Sequence, residues 1–369
     1  WLNYGTLQDV LQADARFVER PQASAEVILN PKQSSGRLLN FIPGVDVVSI
    51  KACLAGQEAF KPLLPPHTSV VTAWDLQGVT PPAEECRRRW YLKPSWVEVG
   101  GGWGVRVFED YESMRAFLEH QKELATAKGN AQTSKELQER LTRWGYLRYK
   151  VPNEFKKCVL VDNRQFDRVP PEMYFFAMAQ PEVLPDTVSA QECASSASPD
   201  VVHKYDLRVF VLCWFGDSRI QRIYVLRRLL MRVCPEPWAT DSLSIGGNIS
   251  TIGFNASGPC LSHESSVTNP RFQAASQTGS GSLLSFLTAW ADCMKRVVRP
   301  EGHGYAYLGL DILKSATGQY YIIEINEHPY FRPEFKKDFF NGVPQLAIIP
   351  ALTRQPCDKA HWNATFIEV

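Results

Sequence analysis

Apolar positions along the chain follow two periods, and the switches between them mark the elements. Between 305 and 330 the text YAYLGLDILKSATGQYYIIEINEHPY holds two runs rich in Tyr, Ile and Leu, 306–314 and 320–326, around the turn-forming Ser315-Ala316-Thr317-Gly318. These read as the strands of a hairpin. With 316–319 as the loop, residue 315 pairs with 320, 313 with 322 and 311 with 324. A second pair of runs, 207–215 and 220–226, flanks Gly216-Asp217-Ser218. Further strands are expected at 68–73, on either side of the glycines in the stretch 89–110 (the second at 105–108), and at 172–179, which stops at Gln180-Pro181. A period near 3.6 predicts helices over 109–126, with Met114, Phe117, Leu118 and Leu124 inward, and over 134–144. It also predicts one along Leu283, Leu287, Trp290, Met294 and Val297, and one over 334–348 broken near Gly342-Val343-Pro344. A short helix is expected from Lys51 towards 60. The mixture describes an α+β fold with mixed or antiparallel sheets.

Length and composition add bounds. A chain of 369 residues suits two or three packed lobes. Forty basic against thirty-nine acidic residues, a net charge of +1, give no evidence for nucleic acid or an anionic membrane as a partner. No apolar run reaches 18 residues, so no membrane-spanning helix is expected. Nine cysteines without a C-x-x-C pair fit reduced, mostly buried thiols in an intracellular compartment. The Ser-rich stretches 183–202 and 257–282 read as surface insertions. The first residue is Trp1, so a presequence or a longer N-terminus is expected ahead of it.

Candidate chemistry concentrates in four places. In the 305–330 hairpin, Asp311 falls opposite Glu324 with Asn326 on the same face, and opposed Cβ atoms lie only ~5 Å apart, where like charges repel. Two acids and an amide form an oxygen-only set that suits Mg2+ between them. The ordinary alternative is a hairpin with acids facing solvent, against which stands the nearly continuous apolar run around Glu324. Gly100, Gly101, Gly102 and Gly104, with Lys93 at the end of the incoming strand, could bring backbone N–H groups and an ammonium to a phosphate. A plain flexible turn reads as well, since neither a Walker A loop nor a dinucleotide fingerprint is present. Strand 172–179 could set its exposed backbone and Phe176 or Met178 against a flat base, or be simple core. Lys204, Asp206 and Arg208 share one strand face, and Arg227, Arg228 and Arg232 add a positive edge suited to phosphoryl oxygens. An internal salt bridge from Asp206 to an arginine accounts for them equally.

Taken in order, Lys51 in SIKACL, Lys93 in WYLKP, the linker ending Gln180-Pro181, KYDLR at 204–208, IYVLRRLLMR at 223–232, Asn248, and LGLDIL with IIEIN at 308–326 resemble the tubulin-tyrosine-ligase-like family of ATP-grasp ligases, over about 38–348. The resemblance implies a fold that holds ATP between the central and C-terminal lobes. The chain then divides into an extension (1–37), an N-terminal lobe (38–86), a central lobe (87–180), a C-terminal lobe (181–350) and a tail (351–369). It implies that Lys51, Lys93 and the glycines reach the ATP phosphates, that Phe176 and Met178 line the adenine, and that Lys204, Asp206 and Asn248 contact the nucleotide. Asp311, Glu324 and Asn326 would hold Mg2+, with Arg208 and Arg232 as the catalytic pair on the transferred phosphoryl group. The implied reaction joins a free amino acid to a carboxylate of a protein acceptor, tubulin among the candidates, through an acyl phosphate. The implied setting is the cytoplasm or cytoskeleton, with an organelle such as the mitochondrion second.

Three departures support a different function. Ile245-Gly246-Gly247-Asn248 stands where the family has His-Leu-Thr-Asn, the glycine loop SWVEVGGGWG is rewritten, and no strongly basic helix is present. The altered loop and the missing His, with the long Ser-rich insertions, suit a weakened or inactive relative that serves as a scaffold or assembly factor in a larger cytoskeletal or organellar ribonucleoprotein complex.

Overall fold

The computed structural model describes residues 42–78, 80–95, 104–127, 171–189, 192, 200–248, 263–273, 281–327, 329, 331–356 and 362–369. The expected helix at 134–144 and the glycines Gly100, Gly101 and Gly102 lie outside the described residues.

Near the start of the described chain, α1 (Lys51–Ala55) ends at Gly56 and gives way to a 3-10 turn, Glu58–Leu63, so the expected helix is shorter than its pattern. The turn contains Pro62, and Gln57 before it is extended, which breaks the ladder. The first sheet contains β1 (Ser69–Thr72), β2 (Asp75–Leu76), β3 (Trp90–Pro94), β4 (Arg106–Phe108) and β5 (Phe176–Pro181). Their order is β2-β1-β5-β3-β4 with every neighbour antiparallel. Val71, Trp90, Leu92, Ala177 and Ala179 form one apolar face of this sheet, buried against α2 (Tyr111–Ala127). The buried stripe of α2 is Tyr111, Met114, Leu118, Gln121 and Ala125. Leu124, expected inward, is 36% exposed, because the stripe runs through 121 and 125 and leaves 124 on the outer side.

The second sheet is larger. It contains β6 (Thr187–Ser189), β7 (Val202–Gly216) and β8 (Arg219–Val233), and after α3 (Ile245–Asn248) it adds β9 (His263–Ser266). Beyond α4 (Leu283–Val297) come β10 (Gly304–Lys314) and β11 (Tyr320–Glu327), and beyond α5 (Pro333–Val343) comes β12 (Phe366–Glu368). The path is β11-β10-β7-β8-β12, with β6 on β7 and β9 on β8, again antiparallel. Asp217 and Ser218, at φ 53 and 59, close the β7–β8 hairpin in the left-handed turn that matches strand twist. Both strands outrun the apolar runs that predicted them, because Asp206 and Arg232 face each other in the ladder and extend it through charged positions.

The two faces of the second sheet differ. Leu207, Val209, Val211, Cys213 and Phe215 pack under α4 with Leu287, Trp290 and Met294, and Ser282 caps that helix by accepting the Ser285 N–H at 3.1 Å. On the opposite face, Phe210, Leu212, Trp214, Tyr305 and Tyr307 lie beneath Phe335, Phe339 and Phe340 of α5. That cover stops short. Beyond Phe210 the same strand face continues as Arg208, Asp206 and Lys204.

In the β10–β11 hairpin Asp311 does pair with Glu324, but by another route than expected. Lys314 pairs with Tyr320 and Ile312 with Ile322, so the loop is one residue longer, and a bulge at Ile323 restores the register at the acids. Among the described residues, Cys213, Cys234 and Cys293 are buried free thiols, Cys53 and Cys86 are half-buried, and no helix is long and apolar enough to cross a membrane.

Candidate functional site

The uncovered end of the second sheet is a two-dimensional array of charge. Glu324, Asp311 and Arg208 form one cross-strand row over β11, β10 and β7, and the next row places Asp206 against Arg232 on β8. Arg208 binds Asp311 through Nε and through Nη2, at 2.8 Å from Oδ2. Arg232 reaches the same Oδ2 with Nη2 at 2.9 Å while its Nε donates to Asp206 Oδ1 at 2.6 Å. Burial pushes the Asp311 carboxyl upward, and Arg208 and Arg232 together outweigh it and hold it at about 2. Glu324 accepts from Lys51 Nζ at 2.8 Å, so the first residue of α1 is part of this array. Asn326 Nδ2 lies 3.3 Å from Asp311 Oδ2.

The three oxygen-bearing side chains expected to hold Mg2+ thus stand on one hairpin, with Arg208 and Arg232 supplying the positive charge at Asp311 and Lys51 at Glu324. Among the described residues no group of three or more His, Cys, Asp and Glu gathers as a metal cage. Two carboxylates and an amide instead fit a cation that completes its shell with phosphate oxygens and water, as Mg2+ does.

The first sheet opposes this array with a polar face of its own. Lys93 on β3 is 8% exposed and donates from Nζ to Gln180 Oε1. Its ammonium is pushed down to about 7, by burial first; Lys51 and Lys204 push the same way, while Glu324 and Asp311 oppose them. Lysine and carboxylates from the second sheet therefore act directly on a lysine of the first. Two strand positions earlier, Tyr91 is a hub: its hydroxyl accepts from Lys204 Nζ at 3.0 Å and sits 3.0 Å from Asn248 Oδ1 and 3.3 Å from Glu182 Oε1. Glu182 is held by Arg89, Nε to Oε2 at 2.8 Å, and Arg89 also donates to Ala239 O at 3.0 Å.

Among solved structures, the chain is similar to the C-terminal domain of K. lactis Pby1, described as an ATP-grasp enzyme interacting with the mRNA decapping enzyme Dcp2. The TM-score is 0.52 at 12% identity, over 99% of this chain and 94% of that one. The fold is ATP-grasp-like. No family model matches the sequence, and no curated protein matches it.

Within this ATP-grasp-like fold the other expected site residues take unequal places. Gly104, at φ +73, passes so close to Pro94 that a Cβ would lie 3.0 Å from Pro94 Cγ, so the segment returning from the glycine loop runs beside Lys93. Phe176 joins the core of the first sheet, and Met178 is fully buried opposite Lys93 in the ladder. The free backbone edge expected at 172–179 is not there. Residues 176–179 pair with β1 on one side, 177–181 with β3 on the other, and the edge opens only at Gln180, where β1 has ended. Asn248 is a strut: Nδ2 donates to Ser242 O at 3.0 Å and Ser244 O at 2.7 Å while Oδ1 faces Tyr91. Of the arginine edge, Arg232 turns to the array, whereas Arg228 pairs with Glu264 and Asp338 and Arg227 donates to Asn363 O.

Arg89, Tyr91, Gln180 and Glu182 were not legible as site residues in the sequence. One signal could have found three of the participants: Arg89, Tyr91 and Lys93 alternate at the strand period, a polar stripe in a segment whose other positions are apolar.

Proposed function

We propose that this protein is an ATP- and Mg2+-dependent ligase that joins an amino acid to a carboxylate of a protein acceptor through an acyl phosphate. The observation that carries it is Lys93: a buried lysine on one sheet lies in the field of Lys51 on α1 and of Lys204, Glu324 and Asp311 on the other sheet. Opposed polar faces with more cations than carboxylates suit a polyphosphate between the lobes.

Lys51 and Lys93 bind and orient the phosphates, and Arg208 and Arg232 hold the oxygens of the transferring phosphoryl group. Asp311, Glu324 and Asn326 hold Mg2+, which when bound neutralises phosphate charge. In the first step an acceptor carboxylate oxygen bonds to the γ-phosphorus as ADP leaves. In the second, the amino acid's amine bonds to the acyl carbon, phosphate departs and the amine gives up a proton. Positioning and charge neutralisation carry both steps. Tubulin as acceptor rests on the sequence resemblance alone.

Labelled amino-acid incorporation with ATP and a protein extract as acceptor tests this. Glu324→Gln should abolish it, and equal incorporation by the variant overturns the proposal.

A second reading, a scaffold that retains the ATP-grasp body, is favoured by the saturation of Asp311 with Arg208 and Arg232, an arrangement stable without ligand. The printed association of Pby1 with Dcp2 makes a protein partner a natural part of that reading. ATP turnover that requires both an amino acid and an acceptor would exclude it.

A further inference from the structure

The end of the second sheet remote from the array holds a cavity of 390 Å3, bounded by the β7–β8 hairpin. Gly216 in its wall is eight positions along β7 from Arg208, which separates the two places by ~26 Å. Besides the hairpin, the wall draws on Gly302 and His303 ahead of β10, and on Ala351 and Arg354 at the end of the helical turn Ile349–Thr353. Trp214 and Ala351 also belong to the aromatic core under α5, so the cavity lies where that core gives out.

Donors outnumber acceptors among the side chains of this wall. Trp214 is 6% exposed, and its indole N–H, which can only donate, finds no acceptor among the described residues. A buried donor left in that state is costly. Arg219 and His303 also have no hydrogen-bond or ion-pair partner among the described residues. Arg354 Nη1 lies 4.0 Å from Asp217 Oδ1 with both side chains exposed, so that pair is loose and contributes little. Against two guanidinium groups, an imidazole and an indole N–H stand one carboxylate, Asp217, and the amide oxygen of Gln221, whose Nε2 is spent on Gly216 O at 2.7 Å. The complement of such a wall is a negatively charged group rich in acceptors. Size adds a second condition: at ~30 Å3 for each water-sized group, 390 Å3 has room for roughly a dozen non-hydrogen atoms, more than inorganic phosphate supplies.

We propose that this cavity is a binding site for a compact organic oxyanion, a phosphate monoester or a carboxylate. Arg219 and Arg354 hold the oxyanion, Arg354 exchanging Asp217 for it, and the Trp214 N–H donates to an acceptor atom of the ligand. The site stands apart from the proposed ligase chemistry, since no residue of its wall belongs to the array.

The test uses the full chain with phenyl phosphate, benzoate and inorganic phosphate, followed by calorimetry and by the indole 1H–15N signal of Trp214, identified by its loss in Trp214→Phe. Phenyl phosphate or benzoate should bind with a dissociation constant below about 1 mM and shift that signal, and the tighter of the two names the oxyanion. Inorganic phosphate should bind at least about tenfold more weakly, because it leaves most of the cavity unfilled. The double variant Arg219→Gln with Arg354→Gln alters two exposed side chains on which the fold does not depend, and it should bind at least about tenfold more weakly than the parent. Saturable binding by neither organic probe up to ~10 mM overturns the proposal, as does a double variant that binds within about twofold of the parent. Inorganic phosphate binding as tightly as phenyl phosphate means an adventitious ion only and overturns it too. Arg208→Met should leave the Trp214 shift unchanged; loss of the shift in that variant would place the probe at the array instead. The calorimetric comparisons need no substitution of Trp214, so a Trp214→Phe protein that fails to fold leaves the outcome decisive.

Discussion

Asp311→Asn is the most informative single change to the array. Asp311 is 2% exposed, and its carboxylate compensates two guanidinium groups, Arg208 at 12% and Arg232 at 5% exposure. The amide keeps the shape and loses the charge, which leaves Arg208 without the carboxylate it binds and Arg232 with Asp206. Removing one partner of a buried ion pair costs ~3–5 kcal/mol. The same two arginines hold the carboxyl at about 2 against an ordinary 3.8, and at ~1.4 kcal/mol per unit that is about 2 kcal/mol of preference for the ionised form, the same order of magnitude. The sign follows from the depressed value. That stabilisation is fully present above pH 4 and is lost as pH falls towards 2. Arg208→Met alone leaves Asp311 paired with Arg232, and in the double variant no unpaired charge remains at that corner. Urea unfolding followed by circular dichroism should therefore show Asp311→Asn strongly destabilised at pH 7, and the double variant less destabilised than the sum of the singles by about 2 kcal/mol. Additivity within about 0.5 kcal/mol would refute the claim that the array is a charge-compensated unit.

Two other outcomes follow from the same geometry. Lys93, pushed down to about 7, is mostly neutral at pH 8, and a polyphosphate beside it restores its proton, so nucleotide binding at pH 8 should take up close to one proton, and little at pH 6. Calorimetry in buffers of different ionisation enthalpy measures this, Lys93→Gln should abolish it, and the unliganded protein should grow more stable as pH rises from about 7 to 10.5, where the unfolded chain holds the proton that the folded one has shed. Gly309→Ala places a Cβ 2.7 Å from Pro329 Cβ and 3.2 Å from Arg208 Cδ, so it should cost ~1–3 kcal/mol and displace Arg208; a melting temperature equal to the parent's would contradict that packing.

What the sequence disclosed was periodic and local. The hairpins, α4, and the facing of Asp311 and Glu324 follow from alternation and turn residues over stretches shorter than thirty residues. The bulge at Ile323 did not, because Tyr321 to Ile325 is apolar at nearly every position and an apolar run carries no register. Two deviations, a longer loop and an extra residue in β11, cancel at the acids, so the right pair came from a register that is wrong nearer the turn. Tyr91 was hidden for a different reason. WYLKP reads as a buried strand, and what makes Tyr91 a polar hub is supplied by Glu182, Lys204 and Asn248, 91, 113 and 157 residues away in sequence. Leu124 marks the same limit in a helix, where the pattern admitted two stripes and only the sheet beneath α2 chose between them.

The ion pairs of the array are often taken as a mark of structure against function, and here that opposition dissolves. Burying Asp311, Asp206 and Arg232 at under a tenth exposed is tolerable only if each charge is compensated at once. A site meant for both a polyphosphate and a divalent cation has a ready solution: the carboxylates that would hold the cation are held by the guanidinium and ammonium groups that would hold the phosphates. Ligand entry would then exchange partners without exposing a bare buried charge, and the resting and loaded networks would be two pairings of the same residues. A scaffold would need only the first. The deciding property is exchange: in a ligase, Asp311→Asn at a pH and temperature where it stays folded releases Arg208 for phosphate and leaves Arg232 held by Asp206 alone, so nucleotide binding without Mg2+ should hold or tighten while its enhancement by Mg2+ disappears. Binding that weakens equally with and without Mg2+ would mean that Asp311 serves the fold alone.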